Sequence, residues 1–265
     1  MKPLAIDLFG GLGGWAEGFL AEGYTVVGFD VERHRYAKPA VKLLTSESDE
    51  GETSVSVEDA TTWDEYPGQL VIQDVTTLHG SQFRDAAVIV ASPPCQEYSY
   101  MAMPWSRAKK IAAEYRDGAR SIADLTRLFD ACFRIQREAC EAAGHHISLV
   151  VENVKGAQPW VGRAAWHLGS FYLWGDVPAL MPAVKHHKVG IKQSGHSGRK
   201  WFADPDVAGH FSSASPARKA ASAQIAKIPL ALARHIAQCY FPTTNGLAPA
   251  TCPKSSAAVA LSRSS

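Results

Sequence analysis

Short runs of Val, Ile, Leu and Ala recur along the chain, and each stops abruptly at a glycine, an acid or a thiol. Leu4-Ala5-Ile6-Asp7-Leu8-Phe9 runs into Gly10-Gly11-Leu12-Gly13-Gly14. Thr25-Val26-Val27-Gly28-Phe29 ends on Asp30-Val31-Glu32, and Leu70-Val71-Ile72-Gln73 ends on Asp74. Ala86-Ala87-Val88-Ile89-Val90-Ala91 leads into Ser92-Pro93-Pro94-Cys95-Gln96, and Ser148-Leu149-Val150-Val151 into Glu152-Asn153-Val154. Runs this short and this apolar fit strands buried on both faces. Helical segments lie between them. Residues 15–22 read as a short helix closed by Gly23. Residues 121–143 place Ile122, Leu125, Leu128, Phe129, Cys132, Phe133 and Ile135 on one broad face. Strands alternating with helices predict an α/β chain: an open, mainly parallel sheet with helices on both faces. In such sheets ligands bind at the carboxyl ends of the strands. The glycine loop, Asp30, Asp74, Cys95 and Glu152 should therefore share one edge.

The remaining segments are read with the same signals. Residues 33–44 are expected as a helix despite Pro39, and residues 46–59 as a solvated loop insertion with strand character near 54–57. Residues 105–118 mix aromatic and basic side chains and suit a mobile loop or a helix. Residues 170–174 read as a strand, after which Gly, Pro and His accumulate to about Phe211. Ser215-Pro216 is a helix start, with a helix expected to residue 226, and Pro229 opens a last helix through Leu232, Ile236 and Ala237. From Thr243 the tail is expected to be disordered.

Composition narrows the class. Hydrophobic residues make up 46% of the 265, enough for a core. The net charge of +1 means that any nucleic-acid surface must be a local patch. The five cysteines include no C-x-x-C pair, which argues for a reducing compartment and against a disulfide scaffold. No apolar stretch reaches membrane-spanning length, so a cytoplasmic protein with no membrane contact is expected. His145-His146 and His186-His187 lack a third ligand at metal spacing, so no metal is expected. Cys132 and Cys140 read simply as helix residues.

Gly11-x-Gly13-x-x-Ala16 matches a loose dinucleotide fingerprint, with Asp30 roughly 20 residues on, where a carboxylate holds ribose hydroxyls. This pattern serves nicotinamide or flavin enzymes as well as S-adenosylmethionine (SAM) enzymes. Asp74 can accept from the exocyclic amine of adenine. Pro93 and Pro94 fix the backbone ahead of Cys95, which suits an aimed nucleophile as well as it suits a small buried residue in a loop. Glu152 follows a strand of Leu and Val, where a carboxyl can stay protonated and donate to a ring nitrogen, with Asn153 orienting it. A thiol paired with a carboxylic acid suits addition to an electron-poor ring. Arg107, Lys109, Lys110, Arg116 and Arg120 form one basic stretch; Lys185, Lys188, Lys192, Arg199 and Lys200 form another, and both suit phosphate contacts.

Asp7-Leu8-Phe9-Gly10-Gly11-Leu12-Gly13-Gly14, Ser92-Pro93-Pro94-Cys95-Gln96 and Glu152-Asn153-Val154 resemble three signature motifs of the cytosine-C5 DNA methyltransferases, in that family's order. The likeness is to compact phage and prophage members. It implies a Rossmann-like SAM-dependent methyltransferase fold with a small target-recognition lobe. Its divisions would be a catalytic domain over 1–175, a recognition region over 176–214, returning helices over 215–242 and a tail over 243–265. It implies SAM held by Phe9, Gly10, Gly11, Gly13, Gly14, Trp15, Asp30, Val31, Asp74, Val75 and Pro93. Cys95, Glu152, Asn153 and Arg163 would be catalytic, Cys95 adding to C6 of a cytosine flipped out of double-stranded DNA while Glu152 holds N3. Gln96, Ser99, Arg107, Lys109, Lys110, Lys188, Lys192, Arg199 and Lys200 would contact the nucleic acid. A monomer is expected, and no partner restriction enzyme is identified.

The chain departs from the family pattern in three places. Arg163 stands in for a Gln-x-Arg-x-Arg segment, Ala226-Lys227-Ile228-Pro229 replaces Gly-Asn-x-Val-Pro, and the recognition region is short. The same chemistry on RNA, a catalytically silent SAM or DNA binder, and a nicotinamide or flavin oxidoreductase are the competing readings.

Overall fold

The structure is a computed structural model that describes residues 1–47, 53–96, 98, 105–181, 219, 223, 224 and 226–242. The apolar runs become the strands of one sheet: β1 (Leu4–Leu8), β2 (Thr25–Asp30), β5 (Gln69–Ile72), β6 (Ala86–Ala91) and β7 (Ser148–Asn153). Two further strands, β8 (Trp166–Leu168) and β9 (Phe171–Gly175), complete the order β5-β2-β1-β6-β7-β9-β8. The first five are mutually parallel, and β9 runs antiparallel to both β7 and β8. The chain order reverses between β1 and β6. That reversal is where an open parallel sheet forms its ligand crevice. The fold is thus the expected Rossmann-like α/β class, with helices on both faces.

Strand periodicity divides the core in two. Ala5, Val88, Val90 and Val150 point to one face and pack with Trp15, Phe19, Leu232 and Ile236. Those partners lie on α1 (Gly14–Ala21) and α5 (Leu230–Cys239). Ile6, Leu8, Ile89, Leu149 and Val151 point to the other face, against Leu125, Phe129, Cys132 and Ile135 of α3 (Ile122–Ala143). α3 is set as its sequence dictates. The Ser121 hydroxyl accepts from Asp124 N at 3.1 Å, and Gly144 closes the helix at a φ of 73°.

The tightest helix contact depends on a missing side chain. A Cβ on Gly18 of α1 would sit 2.3 Å from Ala233 Cβ on α5. Gly18→Val is expected to cost about 2 kcal/mol of stability through overpacking, read as a lowered urea midpoint with unchanged slope.

The helix expected over 33–44 does not form. That stretch is strand β3 (Arg35–Glu47), paired antiparallel with β4 (Thr53–Glu65) as a separate two-stranded ribbon. Of the loop expected over 46–59, residues 46–47 and 53–59 are strand and 48–52 lie outside the described residues. Pro39 argues against a helix interior, whereas a two-stranded ribbon tolerates it on a free edge, opposite Thr61. Val55, Val57, Thr61 and Thr62 supply a β-branched partner strand that a search for helical period does not register. At the ribbon's root the Arg35 guanidinium lies 4.1 Å from the Trp63 ring centre. Residues 105–118 resolve as helix α2 (Trp105–Arg116), followed by a turn through Gly118. Strand β8 falls in a stretch given no element from sequence.

Among the described residues, no helix is long and apolar enough to cross a membrane, and no group of three or more His, Cys, Asp or Glu could hold a metal ion. Residues 182–214 of the recognition region expected over 176–214, most of the helix expected over 215–226 and the tail from Thr243 lie outside the described residues.

Candidate active site

The parallel strands bring five sequence features to one edge. The glycine loop leaves β1, Asp30 closes β2, Asp74 follows β5, Cys95 follows β6, and Glu152 and Asn153 close β7.

The loop is shaped by backbone conformations that glycine adopts at little cost. Gly11 and Gly13 have φ of 52° and 71°, and Phe9 shares the left-handed region at 62°. For a phenylalanine that is strain, and it lies at the strand end, where the chain must turn sharply. The loop is tied from two sides. Asp30 Oδ2 accepts from Gly11 N at 2.9 Å. On the other side the Tyr66 ring fills the space a Cβ on Gly10 or Gly28 would occupy, at 2.6 and 2.3 Å. The Tyr66 hydroxyl donates to Asp7 Oδ2 at 3.1 Å. Burial holds the Asp7 carboxyl well above the usual carboxylate range, and the charge of Asp30 adds to the effect. Val31, beside Asp30, is exposed.

Asp74 caps a short 3-10 turn, Val75–Thr77. Its Oδ1 accepts from both Thr76 N and Thr76 Oγ1 at 2.8 Å, and these bonds hold its carboxyl below the usual range. Val75 itself is buried in the core.

The Cys95–Glu152 pair is the electrostatic centre of the edge. Glu152 is buried, and desolvation pushes its carboxyl up to about 8, opposed by a hydrogen bond from Ser92. Cys95 is half-buried; desolvation and then the charge of Glu152 push its thiol up to about 11. In the free protein near neutral pH both groups therefore hold their protons. Ser92 Oγ also accepts from Trp15 Nε1 at 3.0 Å. Trp15 is buried, so its indole orients the Ser92–Glu152 contact from within the core.

Asn153 fastens the ends of β6 and β7. Its Nδ2 donates to Pro93 O at 2.9 Å, and its Oδ1 accepts from Val154 N at 2.8 Å. Both amide atoms are used, and the side chain is buried. Asn153→Ala leaves the Pro93 carbonyl without this donor. It is expected to cost about 1–2 kcal/mol in thermal or urea denaturation, with a larger fractional loss of activity because the Cys95 turn is released.

The other expected residues are more dispersed. Pro93 is buried, and Gln96 is exposed next to Cys95. Lys109 and Lys110 are exposed on α2, which also carries Arg107 in its first turn. Arg163 is exposed in the link between the short helix α4 (Gln158–Val161) and β8. Ser99, Lys188, Lys192, Arg199 and Lys200 lie outside the described residues. A cavity of about 390 Å³ opens beside the Pro93-Pro94 turn, lined also by Gln96, Tyr98, Tyr115 and Phe129.

Three contributors went unassigned from sequence: Ser92, Tyr66 and Lys227. Ser92 stood inside the motif already singled out. Tyr66 has no local signal, because it works across 59 residues of sequence on Asp7. Lys227 joins Glu17 at 2.7 Å and Asp64 at 3.2 Å, so the altered segment before α5 ties α1 to the root of the ribbon.

No protein-family model matches the chain, and no curated protein matches it. Among solved structures it is similar to a protein described as a candidate DNA modification methyltransferase encoded within an E. coli prophage, at 16% identity and a TM-score of 0.32. That match covers 59% of this chain and 33% of the other, so the chain spans about a third of that structure's length.

Proposed function

We propose that this protein methylates C5 of cytosine in DNA, using S-adenosylmethionine. One observation carries the reading: a thiol and a protonated, buried carboxyl stand together at the ends of two adjacent parallel strands. C5 of cytosine is a weak nucleophile. It becomes reactive only when a nucleophile adds at C6 and a proton donor holds N3 as electron density moves into the ring. The pair supplies one of each.

The chain's own residues would act in sequence. Cys95 gives up its proton to solvent, and its Sγ bonds to C6. The C5–C6 π pair shifts toward C5, and Glu152 shares its proton with N3 to hold the developing charge. Once C5 carries the methyl group, a solvent-derived base takes the C5 proton, the double bond re-forms, and the Cys95 thiolate is expelled. Ser92 and Trp15 keep the Glu152 carboxyl aimed, and Asn153 fixes the turn that presents Cys95.

The opposite half of the edge fits the cofactor. Gly10 to Gly14 bring backbone close to the crevice without side chains, apart from Leu12. Asp74 is an exposed, ionised acceptor suited to an exocyclic amine, and both its Thr76 contacts fall on one oxygen. Asp30 stands where ribose hydroxyls would be held. When bound, SAM supplies an electrophilic methyl group on a sulfonium. Lys109 and Lys110 on α2, in the segment after Cys95, suit DNA phosphates, and Arg163 is the candidate for holding the flipped base.

The test is transfer of labelled methyl from SAM to duplex DNA, single-stranded DNA and structured RNA, followed by nucleoside analysis. 5-Methylcytosine from duplex DNA is expected. Label in RNA alone would reassign the substrate, and label on an exocyclic nitrogen would remove the role given to Cys95.

A further inference from the structure

A second thiol lies at the far end of α3, by the amino end of β7, on the sheet edge opposite Cys95. Cys140 Sγ is 3.9 Å from His146 Nδ1, and His146 Nε2 is 3.1 Å from Asp176 Oδ2. The carboxylate is anchored, because Asp176 Oδ2 also accepts from Gln136 Nε2 at 2.7 Å and Leu149 N at 2.9 Å. Asp176 thus fixes the imidazole with its Nε2 proton toward the acid, leaving Nδ1 facing the sulfur as the acceptor. Ile147 N donates to Cys140 Sγ at 3.1 Å, a contact that favours sulfur as an anion, while the neutral thiol reaches the more distant Ile147 O at 3.7 Å. Nucleophile, base, orienting acid and an N–H on the sulfur are all present, and each side chain is partly exposed.

The other described thiols lack this set. Cys132 is fully buried and donates to Leu128 O. Cys95 faces an acid rather than a base. Cys239 also has a histidine, with His235 Nε2 at 3.5 Å, but that same nitrogen sits 2.9 Å from Leu180 O. A nitrogen donating to a carbonyl already carries its proton and cannot take another.

We propose that Cys140 is a modification site: a reactive thiol, activated by His146 and Asp176, that takes hydroperoxides. The thiol proton passes to His146 Nδ1. The thiolate then attacks the nearer peroxide oxygen; an S–O bond forms, the O–O bond breaks, and hydroxide or alkoxide leaves. The peroxide is reduced and the sulfur becomes a sulfenic acid. This site uses no residue of the Cys95 centre, so it stands whether or not the methyl-transfer reading does.

The experiment treats the full chain with hydrogen peroxide near neutral pH in the presence of dimedone, and maps the adducts by mass spectrometry. Iodoacetamide labelling is timed in parallel as a second electrophile. Cys140 is expected to react first in both, ahead of the exposed Cys239. His146→Gln should slow Cys140 by at least about tenfold and leave Cys239 unchanged, in a protein whose circular dichroism matches the parent. Cys140 reacting no faster than Cys239 in the unaltered chain would overturn the proposal. So would a Cys140 rate that His146→Gln does not move.

Discussion

On the proposed methyl-transfer reading, Cys95→Ser is expected to lower methyl transfer by at least about a thousandfold and to leave SAM binding, read by calorimetry, unchanged. The separation follows from the geometry. Cys95 leaves β6, whereas the glycine loop, Asp30 and Asp74 leave β1, β2 and β5, so the half of the edge proposed for the cofactor keeps its contacts. The backbone stays as well, since Tyr98 N bonds to the Cys95 carbonyl and not to its sulfur. A serine hydroxyl has the shape of the thiol but ionises far less readily, and addition to C6 needs the anion. Equal losses of SAM affinity and turnover would point instead to a structural role for Cys95.

Glu152→Gln has a double effect, and the two parts oppose each other. The glutamine amide can still hydrogen-bond to N3 but cannot hand over a proton, so kcat falls by about a hundredfold or more. Stability moves the other way. Burial raises the Glu152 carboxyl from 4.5 to about 8 in the folded protein. Between those values the folded state holds a proton that the unfolded chain has released. Wild-type stability therefore falls as pH rises through that window and stays low above it. Glutamine has no charge to bury. The variant should match the parent below about pH 4 and exceed it by up to about 4 kcal/mol above pH 8. Urea denaturation across pH reads the difference; a flat one would mean that Glu152 is already ionised when buried.

On the proposed mechanism the same pair sets the pH dependence. Addition to C6 requires thiolate beside carboxylic acid, which is one proton fewer than the pair holds at pH 7. The one-proton-lost state is populated between about 8 and about 11. So kcat/KM should rise with pH through about 8 and fall beyond about 11. In Glu152→Gln only the Cys95 thiol titrates, so the fall at high pH vanishes, and the remaining rise lies below about 11 because the neighbouring charge is gone.

Much of this edge was legible because it is written in local signals. An apolar run ending on Gly, Asp, Cys or Glu gives both a strand and the residue at its carboxyl end, and the parallel order then collects those residues. What the sequence did not disclose depends on contacts across long separations. Tyr66 wedges beneath the glycine loop from the root of a ribbon that local periodicity read as a helix and a loop. Trp15 is expected among the cofactor contacts from its place in the glycine motif, and the bond from its buried indole to Ser92, just past the end of β6, carries no local signal. Cys140 read as one more helix residue, since its partners His146 and Asp176 follow in a turn and beyond β9.

Covalent capture on DNA carrying 5-fluorocytosine at the target position reads the proposed bond between Cys95 and C6 itself. Fluorine at C5 cannot leave as a proton would, so the ring cannot expel the thiol. With SAM present, a denaturation-resistant protein–DNA adduct should form and map by peptide sequencing to Cys95, and Cys95→Ser should give none. Methylation of ordinary cytosine DNA with no adduct on the fluorinated duplex, or an adduct at another residue, would contradict the account.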